Sequence, residues 1–329
     1  MAGGDIPFSG TIAFLPPRGR PAHARAPADR KWRLAILVIT NTGAGSVESG
    51  RVDAVMERLG PEAELSRCTT PADLDAALDR DHDAIVIAGG DGSLHAVANA
   101  LHRRGRLGDR TVGLVPMGTG NDFARGLGIP LDPVDAAGAL LEGVERRLDL
   151  LVDDTGEVTV NALHIGVGAD TTRAASRWKK LLGPASFPVG GLIAGWAARG
   201  YRLWVEADGE TVIDTDHKVL MVGLANGRNV GAGSAVLDPD ARSDNGSISL
   251  VVSRSRGFTA RVVHAMRLYR GTHPMESDVY RRMVRTVTVT GERSPGSVDG
   301  EIRDDLTGRT WHIMPGAWTF LLPKDPRLS

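Results

Sequence analysis

Between Ala84 and Arg125, two short apolar runs, Ala84 to Ala88 and Thr111 to Val115, each lead into a turn dense with glycine. Both runs are rich in β-branched residues and bounded by turn formers, the pattern of buried strands in a parallel sheet. The turns, Gly89-Gly90-Asp91-Gly92-Ser93 and Met117-Gly118-Thr119-Gly120-Asn121-Asp122, each open a helix-compatible segment. A strand, a glycine turn and a helix start together favour an anion. Glycine lets backbone N–H groups approach it closely, and the helix end adds unpaired donors and partial positive charge. Two such turns on neighbouring strands can hold one polyphosphate between them. Asp91 and Asp122 would repel that anion unless a cation or a proton transfer is involved, which points to a nucleotide–metal complex and phosphoryl transfer. Either turn alone reads better as an ordinary βα connection whose aspartate caps a helix; the pair is what carries the signal.

The surrounding chain supplies the alternation such a sheet needs. Trp32 to Thr40 reads as a strand, Asn41 to Ser46 as its turn, and about 47–59 as a helix striped by Val52, Val55, Met56 and Leu59. Glu64 to Cys68 is a weaker strand, and a threonine cap with Pro71 starts a helix to Leu78. Pro133 to Leu141 is a further amphipathic helix. From Arg147 the pattern changes to short strand-like runs: Leu148 to Val152, Glu157 to Leu163, Tyr201 to Ala207, Lys218 to Ala225, Ser247 to Ser253, Val284 to Thr290 and Trp318 to Leu322. Helical interruptions are expected at about 170–200 and 258–270. The expected fold class is therefore α/β plus β: an open, Rossmann-like nucleotide-binding domain over 32–147, then an antiparallel β domain over 148–323. Residues 1–31, rich in proline and arginine, read as a disordered extension, and 324–329 as a tail. A chain of 329 residues suits two domains.

Composition narrows the function. A formal net charge of −1 provides no basic field for nucleic acid. The single cysteine, Cys68, excludes an intrachain disulfide framework or a cysteine zinc cluster and reads as buried filler in a reducing compartment. No apolar run reaches membrane-spanning length, and the start lacks the features of a secretory signal. Neither a metal-binding HExxH spacing nor a Gly-x-Ser-x-Gly elbow occurs, so zinc and serine hydrolases are disfavoured.

The pairing of GGDGS with PMGTGNDFAR closely resembles the diacylglycerol kinase catalytic-domain family, which includes bacterial lipid kinases and sphingosine kinases. NAD kinases share the first turn but not the second. The resemblance extends over about 32–323 through Val160-Asn161, Ile165-Gly166, Ala225-Asn226-Gly227, Gly231-Ala232-Gly233, Pro239-Asp240-Ala241, Asn245-Gly246 and Val298-Asp299-Gly300-Glu301. It implies a β-sandwich for the second half and transfer of the ATP γ-phosphate to a lipid hydroxyl. Diacylglycerol, giving phosphatidate, is the leading acceptor. By resemblance, Asn41, Gly43, Gly45, Thr69, Gly89, Gly90, Asp91, Gly92, Ser93, Gly118, Thr119 and Asn121 would contact the nucleotide. Glu301 would be the general base, with Asp91 beside it in catalysis. Magnesium would be held through Asp122, Asp149, Asp244 and Asn245. On the residues alone, Asp299-Gly300 also reads as a hairpin turn and Glu301 as a hairpin residue.

Three departures from the family pattern stand out. Asn245 replaces an aspartate, leaving Asp244 to take over if a charged ligand is needed. Ala96 stands where a glutamate is usual, and His95, in place of the usual asparagine, reads as an exposed helix histidine. The mixed basic and aromatic stretch from Trp178 to Trp196 suits either an amphipathic helix on an anionic membrane or one packed on the β domain. The resemblance implies a cytoplasmic enzyme, peripheral at the inner membrane face, meeting its lipid there; a homodimer is left open. The competing readings are a sphingoid-base, ceramide or other lipid-alcohol kinase, an NAD kinase, and a non-catalytic nucleotide- or lipid-binding module on the same fold.

Overall fold

In a computed structural model of the protein, residues 35–41, 46–166, 200–231, 233, 235–254 and 279–324 are described. Gly43, Gly45, the stretch from Trp178 to Trp196 and the helices expected near 170–200 and 258–270 lie outside this set. The first half alternates as its periodicity requires: β1 (Ile36–Asn41), α1 (Ser46–Leu59), β2 (Ala63–Cys68), α2 (Pro71–Leu78), β3 (Ala84–Gly89), α3 (Asp91–Arg103), β4 (Thr111–Pro116), α4 (Asp122–Gly126) and α5 (Pro133–Leu141). The four strands are parallel in the order β2-β1-β3-β4. The chain leaves β1 toward β2 and returns past it to β3, so the sheet has a switch point between β1 and β3. Ligands in open α/β sheets bind at the carboxyl ends of the strands flanking such a point. Here those ends are Asn41, which leads into the turn after β1, and Gly89, which opens the first of the paired glycine turns. Cys68, at the end of β2, is half-buried rather than core filler.

The second half begins with β5 (Val144–Asp153), β6 (Val158–Thr159), β7 (Ala162–Gly166), β8 (Tyr201–Ala207), β9 (Glu210–Ile213), β10 (Lys218–Ala225), β11 (Asn229–Val230) and β12 (Ala235–Val236). It continues with β13 (Ile248–Arg254), β14 (Val279–Val284), β15 (Thr286–Gly291), β16 (Gly296–Val298), β17 (Glu301–Arg303) and β18 (Arg309–Leu322). One antiparallel layer runs β17-β16-β7-β10-β13-β14. A second is formed by β9, β8, β15, the first half of β18, and β5. Leu163, Ile165, Val222 and Leu250 of the first layer share a core with Leu203, Val205, Val287 and Trp311 of the second. This is the sandwich of the expected fold class.

Two segments differ from the sequence expectation. The run Glu157 to Leu163 is split at Val160-Asn161, because those amides turn away to a carboxylate described below. Trp318 to Leu322, expected as a strand of the β half, is the end of the 14-residue β18. This strand pairs antiparallel with β5 along its length, beside β15 at its start, and in parallel with β4 at Thr319 and Phe320. It extends the nucleotide-side sheet and the sandwich at once. The register shifts between Met314 and Trp318, where Gly316 takes a φ of 54° and donates its N–H to Asp149. All described residues belong to one compact unit.

Candidate active site

The two glycine turns lie back to back. A Cβ added at Gly90 would stand 3.0 Å from the Gly118 Cα, and one added at Gly118 would stand 2.7 Å from the Gly90 Cα. Neither glycine is in the left-handed region, so what they supply is room for close approach. Gly89 makes room for Ser93, whose Oγ would lie 2.5 Å from an added Cβ, whereas Gly92 faces open space at the start of α3. Asn121, at a φ of 53°, holds the second turn by accepting from the Gly118 N–H and donating to the Gly118 carbonyl. Thr119 is part of the same turn.

Asp91 joins the two turns. It stands in the first turn of α3, yet its carboxylate accepts the N–H groups of Asp122 (3.1 Å) and Phe123 (3.3 Å). It thus caps α4, whose own N-cap residue, Asn121, is occupied with Gly118. Burial pushes the Asp91 carboxyl above its ordinary value, opposed by these N–H groups and reinforced by the charges of Asp122 and Asp299. Phe123 anchors this five-residue helix in a buried aromatic cluster, its ring centroid 5.3 Å from Phe320 and 6.2 Å from Trp318 on β18. From the other half, Gly233 donates its N–H to Asp122 and packs against Arg125.

The hairpin β16–β17 turns through Asp299 (φ 47°) and Gly300 (φ 89°), as a two-residue Asp-Gly loop does. Asp299 does more than turn. Its carboxylate accepts from the N–H groups of Val160 (2.8 Å), Asn161 (2.8 Å) and Ala162 (3.1 Å), and from His95 Nδ1 (2.9 Å). Asn161 in turn accepts the N–H groups of Asn226 and Gly227, so landmarks remote in sequence form one knot. Glu301, two residues beyond Asp299, is half-exposed and accepts from Arg303, which is also held by Glu157 at 2.5 Å.

His95 is buried, contrary to the expectation of an exposed helix histidine. Burial pulls its pKa down, but the hydrogen bond and charge of Asp299 push it up and prevail, with Glu301 and Glu157 adding. Asp91, His95 and Asn99 stand four residues apart on α3, forming one polar stripe. Asn99 closes the stripe by exchanging hydrogen bonds with the backbone of Val158 in both directions. His95 and Asn99, four residues apart within the otherwise apolar run Leu94–Leu101, were the available sequence signal.

The other expected residues are placed as follows. Asn41 ends β1 at the switch point. Thr69 donates its hydroxyl to Asp73, while Thr70 caps α2 in a capping box with Asp73. Of the expected magnesium ligands, Asp149 is buried and accepts from the N–H groups of Gly246 (2.6 Å) and Gly316 (2.7 Å). Asp244 pairs with Arg242, and Asn245 accepts from the N–H of Ser247. Among the described residues, no three His, Cys, Asp or Glu side chains gather as an all-protein metal cage would require. Asn226 Oδ1 is buried and takes no hydrogen bond among them, an oxygen of the kind a hard cation accepts. A cavity of about 630 Å³ opens beside α4, between Phe123, Leu148, Arg228 and Ser243; neither Asp91 nor Glu301 lines it.

Residues 35–152 match the diacylglycerol kinase catalytic domain, and residues 161–322 the YegS C-terminal NAD kinase beta sandwich-like domain. The arrangement is that of a kinase with an α/β catalytic half and a sandwich half. A YegS-like probable lipid kinase of Pseudomonas aeruginosa is 33% identical over 296 residues, covering 88% of this chain and 94% of its own. A diacylglycerol kinase of Staphylococcus carnosus is 29% identical over 237 residues, covering 70% of this chain and 74% of its own. The crystal structure of a Bacillus anthracis diacylglycerol kinase shares the fold with a TM-score of 0.67 at 18% identity, covering 91% of this chain and 100% of that one. The chain belongs to the diacylglycerol kinase/YegS family of lipid kinases. Among the described residues, no helix is long and apolar enough to cross a membrane.

Proposed function

We propose that this chain transfers the γ-phosphate of ATP to the hydroxyl of a membrane lipid alcohol, with diacylglycerol as acceptor and phosphatidate as product. One observation carries the reading: a single helix, α3, starts at the paired glycine turns and is hydrogen-bonded through His95 to the hairpin that bears Glu301. That brings a polyphosphate cradle and a half-exposed carboxylate under common control. The lipid oxygen attacks the γ-phosphorus as the bond to the β–γ bridging oxygen breaks. Glu301 takes the hydroxyl proton, and ADP leaves. Arg303 holds Glu301 until the acceptor competes for it.

The nucleotide phosphates would lie over Gly90, Gly92 and Gly118, with Asn41 and Thr69 toward the nucleoside. Magnesium fits as a cation that accompanies the ATP phosphates rather than one caged by protein alone, with Asp122 the expected ligand on a glycine turn. It would neutralise charge on the transferring group. In this reading the enzyme meets its acceptor at the inner membrane face.

The test is incorporation of label from [γ-³²P]ATP with diacylglycerol, sphingosine, ceramide and NAD offered in parallel. Labelled phosphatidate is the expected product. Label in NADP, or ATP turnover indifferent to every acceptor, refutes the reading.

A further inference from the structure

The pair formed by His95 and Asp299 joins residues 204 apart in the chain, and both side chains are nearly closed to solvent, at 8% and 2% exposure. Asp299 is saturated: one oxygen serves Asn161 and Ala162, the other Val160 and His95. Its three backbone donors are the two residues between β6 and β7 and the first residue of β7, so they fix the hairpin to the sandwich. His95 is its only bond to the helix that begins at the first glycine turn among the described residues. The ring's orientation is itself set. Asn99 Oδ1 accepts the Val158 N–H at 2.8 Å, which leaves its amide nitrogen 3.2 Å from His95 Nε2. That amide nitrogen donates to the carbonyls of His95 (3.0 Å) and Val158 (3.1 Å), which fixes Asn99 beside the ring, and the Asp299 carboxylate, which can only accept, places the ring proton on Nδ1.

We propose that His95 is a positioning residue: through Asp299 it locks the hairpin carrying Glu301 to the helix carrying the first glycine turn, and so sets the approach of the base to the transferring phosphate. The proposal rests on the lipid kinase reading above. Base and phosphate come from separate halves of the chain, and a displacement of about 1 Å between reacting groups can cost roughly 100-fold in rate. A residue with this role affects kcat and leaves nucleotide binding alone. It is also specific about which atom donates. Asparagine carries its amide nitrogen where Nδ1 sits; glutamine carries its nitrogen farther out, toward the position of Nε2.

Three variants test it: His95→Ala, His95→Asn and His95→Gln, with kcat and KM for ATP measured using diacylglycerol vesicles. His95→Ala is expected to lose about 10- to 100-fold in kcat with little change in KM. His95→Asn should recover most of the loss, and His95→Gln should not. Hydrogen exchange of the amides of residues 160–162 and 298–303 provides a second readout that needs no activity. Protection should fall in His95→Ala and return in His95→Asn. Unchanged kcat in His95→Ala, equal rescue by glutamine, or unchanged exchange in the alanine variant overturns the proposal. If the lipid kinase reading itself fails, the wild-type chain shows no acceptor-dependent turnover, while the exchange pattern still decides the role of His95.

Discussion

Two glycines of the paired turns should respond to the same substitution in opposite ways. In Gly118→Ala the new methyl would lie 2.7 Å from the Gly90 Cα and 2.9 Å from Asn121 Oδ1. Carbon atoms in contact prefer about 3.5–4.0 Å, so the turns must part by roughly 1 Å. Both are backbone-held, and overpacking of this kind costs about 1–3 kcal/mol. That corresponds to a fall in Tm of several degrees, at roughly 2–4 °C per kcal/mol for a large domain. Because the turns would form the phosphate cradle, kcat/KM should also drop by about 100-fold for a shift of that size. Gly92→Ala meets nothing within 4 Å and lies within α3, where alanine is favoured over glycine by roughly 0.5–1 kcal/mol. Its Tm should rise slightly. If phosphate lies over this first helical turn, the methyl displaces it from a backbone N–H, and KM for ATP rises about tenfold or more, a charged hydrogen bond being worth ~1.5–3 kcal/mol. Thermal melts and a coupled ADP-release assay on both variants make the comparison. A Gly118→Ala protein as stable and active as wild type would refute the back-to-back packing. Unchanged KM in Gly92→Ala would remove the phosphate from α3. Gly90→Asp should likewise abolish nucleotide binding, since its Cβ meets the Gly118 backbone at 3.0 Å before its carboxylate meets any phosphate.

Two further outcomes follow from single side chains. Glu301→Gln keeps the size and hydrogen-bonding reach of a half-exposed residue but removes the proton acceptor; kcat with saturating ATP and lipid should fall about 10²–10⁴-fold while calorimetric ATP affinity stays near wild type, and near-normal kcat would refute the base assignment. The hydrogen bond from the Thr69 hydroxyl, with the Thr69 and Thr70 N–H groups, lowers the Asp73 carboxyl to about 2, so its stabilising contribution is complete above the ordinary carboxylate value near 3.8 and is lost as pH falls toward 2. The stability deficit of Asp73→Ala in urea melts should accordingly shrink across that interval, and a deficit independent of pH would exclude the cap as its source.

How much of this molecule could be read in advance depended on the range of the interactions involved. Strands β1, β3 and β4 and helices α2 and α5 follow from β-branched runs, proline at a helix start and capping threonine or aspartate, features contained within a few residues. The Asp-Gly hairpin and the glycine turns are equally local, since each needs only its own backbone conformation or the absence of a Cβ. The duties of the polar residues were not local. Asp91 reads as a phosphate-side acid, and the fold makes it the cap of a helix that begins 31 residues later. His95 reads as a surface residue, and is instead held by a carboxylate 204 positions away. Burial of a polar side chain is decided by whether a partner arrives to satisfy it, and no periodicity records a partner from another half of the chain. The same holds for β18, whose alternation marks a strand but not its neighbours. Only the folded chain, with β5 along its length and β15 and β4 beside its two halves, makes that strand the common element of both sheets.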